Sequence, residues 1–194
     1  MNLVSWNCQG LGNPKAVRAL HNMVKMKGPK VLFLMETKLD CRRTKVIRIK
    51  AGFDYVFTVP SLGRSGGLAL MWQKEVDVVI QNFSQHHIDA HVDSNQARCW
   101  RLTGFYGRPE QHRRKESWAL LKHLSQLASL PWLCFGDFNE ILAADEKSGG
   151  LARPFRQILD FQEAVNMCSF IDLGFHGAPY TWKNNRDNEV NIQG

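Results

Sequence analysis

Nowhere does this 194-residue chain hold the roughly 18 to 20 uninterrupted apolar residues of a membrane-spanning helix; the longest candidate run, Val31 to Met35, is cut off by Glu36. A membrane protein is therefore excluded. The first residues, MNLVSWNCQG, contain neither a basic segment leading into an apolar one nor an Arg/Ser-rich amphipathic pattern, so Met1 is read as the start of folded structure. Cysteine is sparse: Cys8, Cys41, Cys99, Cys134 and Cys168 lie tens of residues apart, are odd in number and form no CxxC pair. That excludes a disulfide scaffold and a zinc finger and fits an intracellular, reducing compartment. Cys8 and Cys134 sit in apolar stretches and are expected to be buried structural thiols. The Gly-rich segment Gly63 to Gly67 (GRSGG) lacks the GK[ST] ending of a P-loop and reads as a plain turn. There is no internal repeat, linker or low-complexity tract, and 44% hydrophobic residues suffice for one domain with a sizeable core.

Charge is unevenly spread. The first 60 residues carry 11 basic and 3 acidic groups, whereas residues 131–194 carry 5 and 9. Arg42, Arg43, Lys45, Arg48 and Lys50 crowd into nine residues of the basic third. Such a cluster suits a polyanionic partner, although on charge alone a solvated helix face is the favoured reading.

Hydrophobic spacing predicts a mixed, layered α/β fold. Strands are expected at Asn2 to Asn7, Val31 to Glu36 and Asp54 to Val59. A meander follows over Leu68 to Trp72, Val76 to Ile80, Ile88 to Val92 and Cys99 to Tyr106, then strands at Trp132 to Phe135, around Phe170 to Leu173 and at Pro179 to Trp182. Helices are expected where Val17, Leu20 and Val24 recur, over Cys41 to Ala51, over His112 to Ala128 and from Pro154 to Met167. The run VLFLM is continuous enough to be buried on both faces of a sheet.

Three polar groups stand at C-terminal ends of such strands: Asn7 after LVSW, Glu36 after VLFLM, and Asp137 with Asn139 after WLCFG. Strand ends are where side chains of α/β sheets converge on a ligand, although Asn and Asp are also common turn residues there. Without Cys or His among them, these are hard oxygen donors suited to Mg²⁺ or Mn²⁺.

The segments SWNCQG, FLMETK, TGFYG, GDFNEIL and PYTW, in this order, resemble the motifs of the endonuclease/exonuclease/phosphatase superfamily, which includes DNase I-like and apurinic-site endonucleases. The fuller wording WNCQGLGN, HIDA, TGFYGRPE, EKSGG, DLGF and TWKNNR most resembles the endonuclease domain of plant LINE-type non-LTR retrotransposons. The resemblance implies a four-layer α/β sandwich of two packed sheets flanked by helices. It also implies hydrolysis of a phosphodiester with Mg²⁺ (or Mn²⁺). Carried onto this chain, Glu36 would ligate the metal and Asn7 would help hold it or orient its water. Asp137 would orient or deprotonate the attacking water, Asn139 would position that water and the phosphate, and Tyr106 would donate a hydrogen bond to a phosphate oxygen. Gln9 stands where apurinic-site enzymes have an acid. The family continues after TW with an RLDR-like strand and a terminal SDH motif; this sequence ends at Gly194, and none of its seven histidines matches. The domain is therefore expected to lack its final strands.

The resulting expectation is a DNA-nicking endonuclease of retroelement type, weak or inactive without the terminal Asp-His motif. The partner would be DNA, bound in part by Arg42, Arg43, Lys45 and Arg48. A monomer is expected, with a nuclear location and a reverse transcriptase domain in a parent polyprotein. The alternatives are a non-catalytic nucleic-acid-binding remnant, with salt-dependent DNA binding, and a phosphatase of small phosphate esters.

Overall fold

Apolar residues that must be covered on two faces decide the architecture. In the computed structural model, which describes residues 1–63, 65–93, 98–174 and 176–177, the run Val31–Met35 is strand β2 and is fully buried. It pairs in parallel with β1 (Leu3–Asn7) and antiparallel with β4 (Leu68–Trp72), which in turn pairs with β3 (Tyr55–Val59). The first sheet thus has the order β1-β2-β4-β3. The second contains β5 (Val78–Ser84), β6 (His87–Val92), β7 (Trp100–Tyr106) and β8 (Trp132–Asp137) in chain order, antiparallel except for the parallel pair β7 and β8.

Because successive strand residues face opposite ways, β2 splits its side chains. Val31, Phe33 and Met35 join Leu70 of β4 and Ile88, Ala90 and Leu102 of the second sheet in one core. Leu32 and Leu34 turn to the other face, where Leu20 and Ile47 cover them from helices α1 (Pro14–Lys27) and α2 (Cys41–Ala51). Both helices begin on a side-chain cap: Asn13 accepts the Ala16 N–H at 2.8 Å and Asp40 accepts the Arg43 N–H at 2.7 Å.

The spacing between the two sheets is set at one point by a glycine. A Cβ on Gly104 would lie 2.6 Å from the ring of Phe33, so only a residue without a side chain lets that ring lie against β7. Phe33 in turn meets Phe135 edge-on at 5.6 Å between centroids.

Contacts divide the described chain into two compact units. The first, residues 1–106 and 130–137, contains all the elements named so far. The second contains α3 (Arg114–Ser125) and α4 (Phe155–Met167), joined by the stacked rings of Trp118 and Phe161 at 4.4 Å. Within it the carboxylate of Glu140 is clasped by Arg114 (3.0 Å) and Arg153 (2.8 Å).

The α/β sandwich agrees with expectation, with three local differences. Leu68–Trp72 does not open the meander: its residues are buried on both faces and occupy an interior position of the first sheet, leaving β5 to β7 as the meander. Strand β5 runs on to Ser84 through a register shift between Ile80 and Asn82, where the polar letters Gln81 and Asn82 conceal it. Phe170 to Leu173 forms no strand, and Ile171 and Leu173 are exposed. Pro179 to Trp182 lies outside the described residues.

Candidate functional site

The parallel arrangement of β1 beside β2, and of β7 beside β8, brings four strand ends together in the first unit. In register, Asn7 stands opposite Met35 and Tyr106 opposite Asp137. Asn7 Nδ2 donates to Glu36 Oε1 at 2.9 Å and to Asp137 Oδ2 at 2.9 Å, so one amide group links the two carboxylates. The buried phenol of Tyr106 donates to the same Glu36 Oε1 at 2.9 Å. Four residues expected at the site thus form one hydrogen-bonded cluster.

Local backbone geometry fixes the two acids. Glu36 has φ of 51°, a left-handed conformation that costs a residue with a side chain about 1 kcal/mol or more. Backbone hydrogen bonds from the residues that follow hold it there. Thr37 N–H donates to Gly67 O and Lys38 N–H to Gly66 O, both at 3.0 Å, and Leu11 N–H donates to Thr37 O at 3.0 Å. The carbonyls of Gly66 and Gly67 thus clamp the loop that carries Glu36. On the other sheet, Gly136 has φ of 144° and a Cβ there would meet Phe105 O at 1.9 Å. Asp137 can follow only because residue 136 is glycine. Its own N–H reaches Met35 Sδ at 3.2 Å.

The donor set is oxygen-rich: two carboxylates with an amide between them, and no sulfur or imidazole hydrogen-bonded to either acid side chain in these links. That chemistry fits Mg²⁺, which takes one or two carboxylates and keeps several waters. Among the described residues no group of three or more His, Cys, Asp or Glu is placed to hold a metal ion. Asn7 turns its N–H₂ toward the acids and its Oδ1 toward Gln9 N–H at 3.3 Å, so here it orients both carboxylates.

Asn139 belongs to the second unit, with φ of 56°, and its Nδ2 donates to Gly107 O at 2.9 Å. Of the basic residues on α2, Arg42 and Lys45 are exposed, and Arg43 Nε lies 4.0 Å from Asp40. Arg48 is otherwise engaged, its Nη1 donating to Phe53 O (2.6 Å) and Asp54 O (2.7 Å). Cys8 is buried and donates to Met35 O at 3.0 Å; burial pushes its thiol up to about 12. Cys134 is half-buried.

Two residues at the cluster escape sequence reasoning. His86 stacks parallel to Tyr106, with centroids 6.2 Å apart, and its Nδ1 lies 2.9 Å from Tyr106 O. The signal is the register of the β6–β7 hairpin, which places His87 opposite Phe105 and hence His86 beside Tyr106. Lys38 Nζ approaches Glu36 Oε2 at 3.7 Å; the letters ETK contain it.

The fold is similar to that of an AP endonuclease from Archaeoglobus fulgidus (15% identity, TM-score 0.68, covering 86% of this chain and 71% of that one). It is also similar to the endonuclease domain of TRAS1, a telomere-specific non-LTR retrotransposon (13%, 0.64, 98% and 83%). A third similar structure is a variant of the 3′ phosphatase NExo from Neisseria, bound to product DNA hairpin (17%, 0.63, 86% and 71%). No curated protein sequence matches the chain. The profile of the Endonuclease/Exonuclease/phosphatase family matches residues 4–191, from the first strand through the polar strand ends and beyond. A sandwich whose two sheets each contribute a carboxylate to one linked cluster, read together with that match, makes this chain a member of the Endonuclease/Exonuclease/phosphatase family.

Proposed function

We propose that this protein is a Mg²⁺-dependent phosphodiesterase that nicks DNA, of the kind encoded by LINE-type retroelements of plants. The observation that carries the reading is the linkage of Asn7, Glu36, Tyr106 and Asp137 through three hydrogen bonds of 2.9 Å. Glu36 would hold the cation, with Asn7 fixing the angle of its carboxylate. A divalent cation bound there supplies charge neutralisation for the phosphate and the departing oxygen. Asp137 would accept the proton of the attacking water. Tyr106 would turn its phenol from Glu36 to a phosphate oxygen. Arg42 and Lys45, exposed on α2, would contact flanking phosphates of DNA. The motifs shared with plant LINE-type endonucleases are the ground for a retroelement setting, and the TRAS1 endonuclease domain is a retrotransposon domain of similar fold; a nuclear location and a reverse transcriptase in a parent polyprotein would follow from that setting.

The test is conversion of supercoiled plasmid to open circles by the purified chain. Nicking should require Mg²⁺ or Mn²⁺, stop with EDTA, and fall by about 10²- to 10⁴-fold in Asp137→Ala. Nicking that is indifferent to EDTA, or that persists in Asp137→Ala, would defeat the proposal.

A further inference from the structure

Away from the carboxylate cluster, α1 and α2 enclose a groove of about 880 Å³. Val17, Val46 and Ile47 give it an apolar lining, and the exposed cations Arg18, Arg43 and Lys50 also line it. On α2, residues 43, 46, 47 and 50 fall on one helical face, so the groove side of this helix is apolar at its centre and basic at both ends. Helix α1 carries four Lys or Arg, α2 carries five, and neither contains an Asp or Glu. Val46 remains 47% exposed in the middle of this positive field.

We propose that this groove docks an acidic amphipathic α-helix of a partner protein. A third helix laid between two neighbours fills their groove with side chains spaced i, i+3, i+4 and i+7. Its acidic flanks would then meet Arg18 on one side and Arg43 and Lys50 on the other, which sets orientation and speeds encounter. Duplex DNA supplies the negative charge, yet its backbone offers nothing apolar to cover Val17 and Val46. A bilayer is flat where this surface is concave. Arg42 and Lys45 lie off the groove face of α2, so DNA contact there and helix docking here use different side chains.

The probe is a fluorescein-labelled synthetic helix with Leu at i, i+3, i+4 and i+7 and Glu along its flanks, beside a shuffled peptide of identical composition. Each is titrated into the full chain at physiological ionic strength and followed by anisotropy. The amphipathic peptide should bind at least about tenfold more tightly than the shuffled one. Val46→Asp and, separately, Lys50→Glu should each weaken it about tenfold while thermal unfolding stays unchanged. Equal binding of the two peptides, or indifference to both substitutions, would overturn the proposal. So would displacement of the peptide by a short DNA duplex or by phosphatidylserine vesicles at lower concentration than by unlabelled peptide.

Discussion

Replacing Glu140 with Gln removes one charge from a buried cluster while nearly preserving its shape. The side chain is 0% exposed; Oε2 lies 3.0 Å from Arg114 Nη1, Oε1 lies 2.8 Å from Arg153 Nε, and Oε1 also accepts the Ile141 N–H at 3.1 Å. Two guanidinium groups already face one carboxylate, so the cluster is short of negative charge before any substitution. The guanidinium of Arg114 is held below its usual range, with burial the largest cause, Glu140 opposing it and Arg153 adding to it. Among the described residues Arg114 Nε has no hydrogen-bond acceptor, and Arg153 Nε, though close enough to Glu140 for an ion pair, is poorly aimed for a hydrogen bond. Glu140→Gln therefore leaves two cations with 10% and 24% of their side-chain surface exposed and no counter-charge in the cluster. Breaking a buried pair in this way costs about 3–5 kcal/mol. Arg153 is open enough to regain some water, which argues for the lower end. At about 2–4 °C per kcal/mol for a chain of this size, the Tm should fall by about 6–12 °C. The measurement is thermal unfolding by circular dichroism, with a control in which Arg114 and Arg153 are also changed to Met. Removing all three charges should recover at least half of the loss, because apolar replacement of a buried ionic cluster is often neutral or stabilising. A drop below about 2 °C in the single variant, or a triple variant less stable than the single one, would refute the reasoning.

Three other perturbations probe separate parts of the molecule. Gly104→Ala should cost about 1–3 kcal/mol because its Cβ would overlap the Phe33 ring at 2.6 Å, and Phe33→Leu should recover part of that loss in urea unfolding. Tyr106→Phe removes the phenol that donates to Glu36 and should slow plasmid nicking about 10- to 100-fold while leaving the melting curve within a few degrees; an unchanged rate would remove Tyr106 from the site. For Cys8 the folded thiol is raised from 9.0 to about 12, chiefly by burial, whereas the unfolded thiol ionises near 9. The stability it supports is complete below pH 9 and is lost as pH rises from 9 to about 12, at about 1.4 kcal/mol per unit. Cys8→Ala should flatten that decline in denaturant titrations, and iodoacetamide should label Cys8 only after unfolding.

Legibility in the sequence follows how local the deciding interaction is. VLFLM is readable as a doubly buried strand because its own letters demand cover on both faces, and Asn7, Glu36 and Asp137 are readable because each stands at the C-terminal end of a strand, although β1 and β8 are only half-buried. LALMW has the same doubly buried character, but its membership in the first sheet depends on partners more than 30 residues upstream in β2, so chain order alone suggests a meander. His86 acquires its place beside Tyr106 from hairpin register, and Arg48 loses its surface role to two carbonyls a turn away. Ile171 and Leu173 alternate as strand residues would, yet they find no ladder among the described residues. Periodicity states a need for burial and leaves its location open.

The Asn7–Asp137 hydrogen bond joins residues 130 positions apart. During synthesis, at about 5–20 residues per second, Asn7 therefore emerges roughly 6–26 s before its partner exists. The first sheet, whose strands all lie before residue 73, can assemble in that interval, but the carboxylate cluster cannot. Contacts of such sequence separation also form slowly, because loop closure precedes any gain from them. The cluster is thus completed only after β8 has joined the second sheet, and a nascent chain released before residue 137 would carry the first sheet and its groove without the second carboxylate.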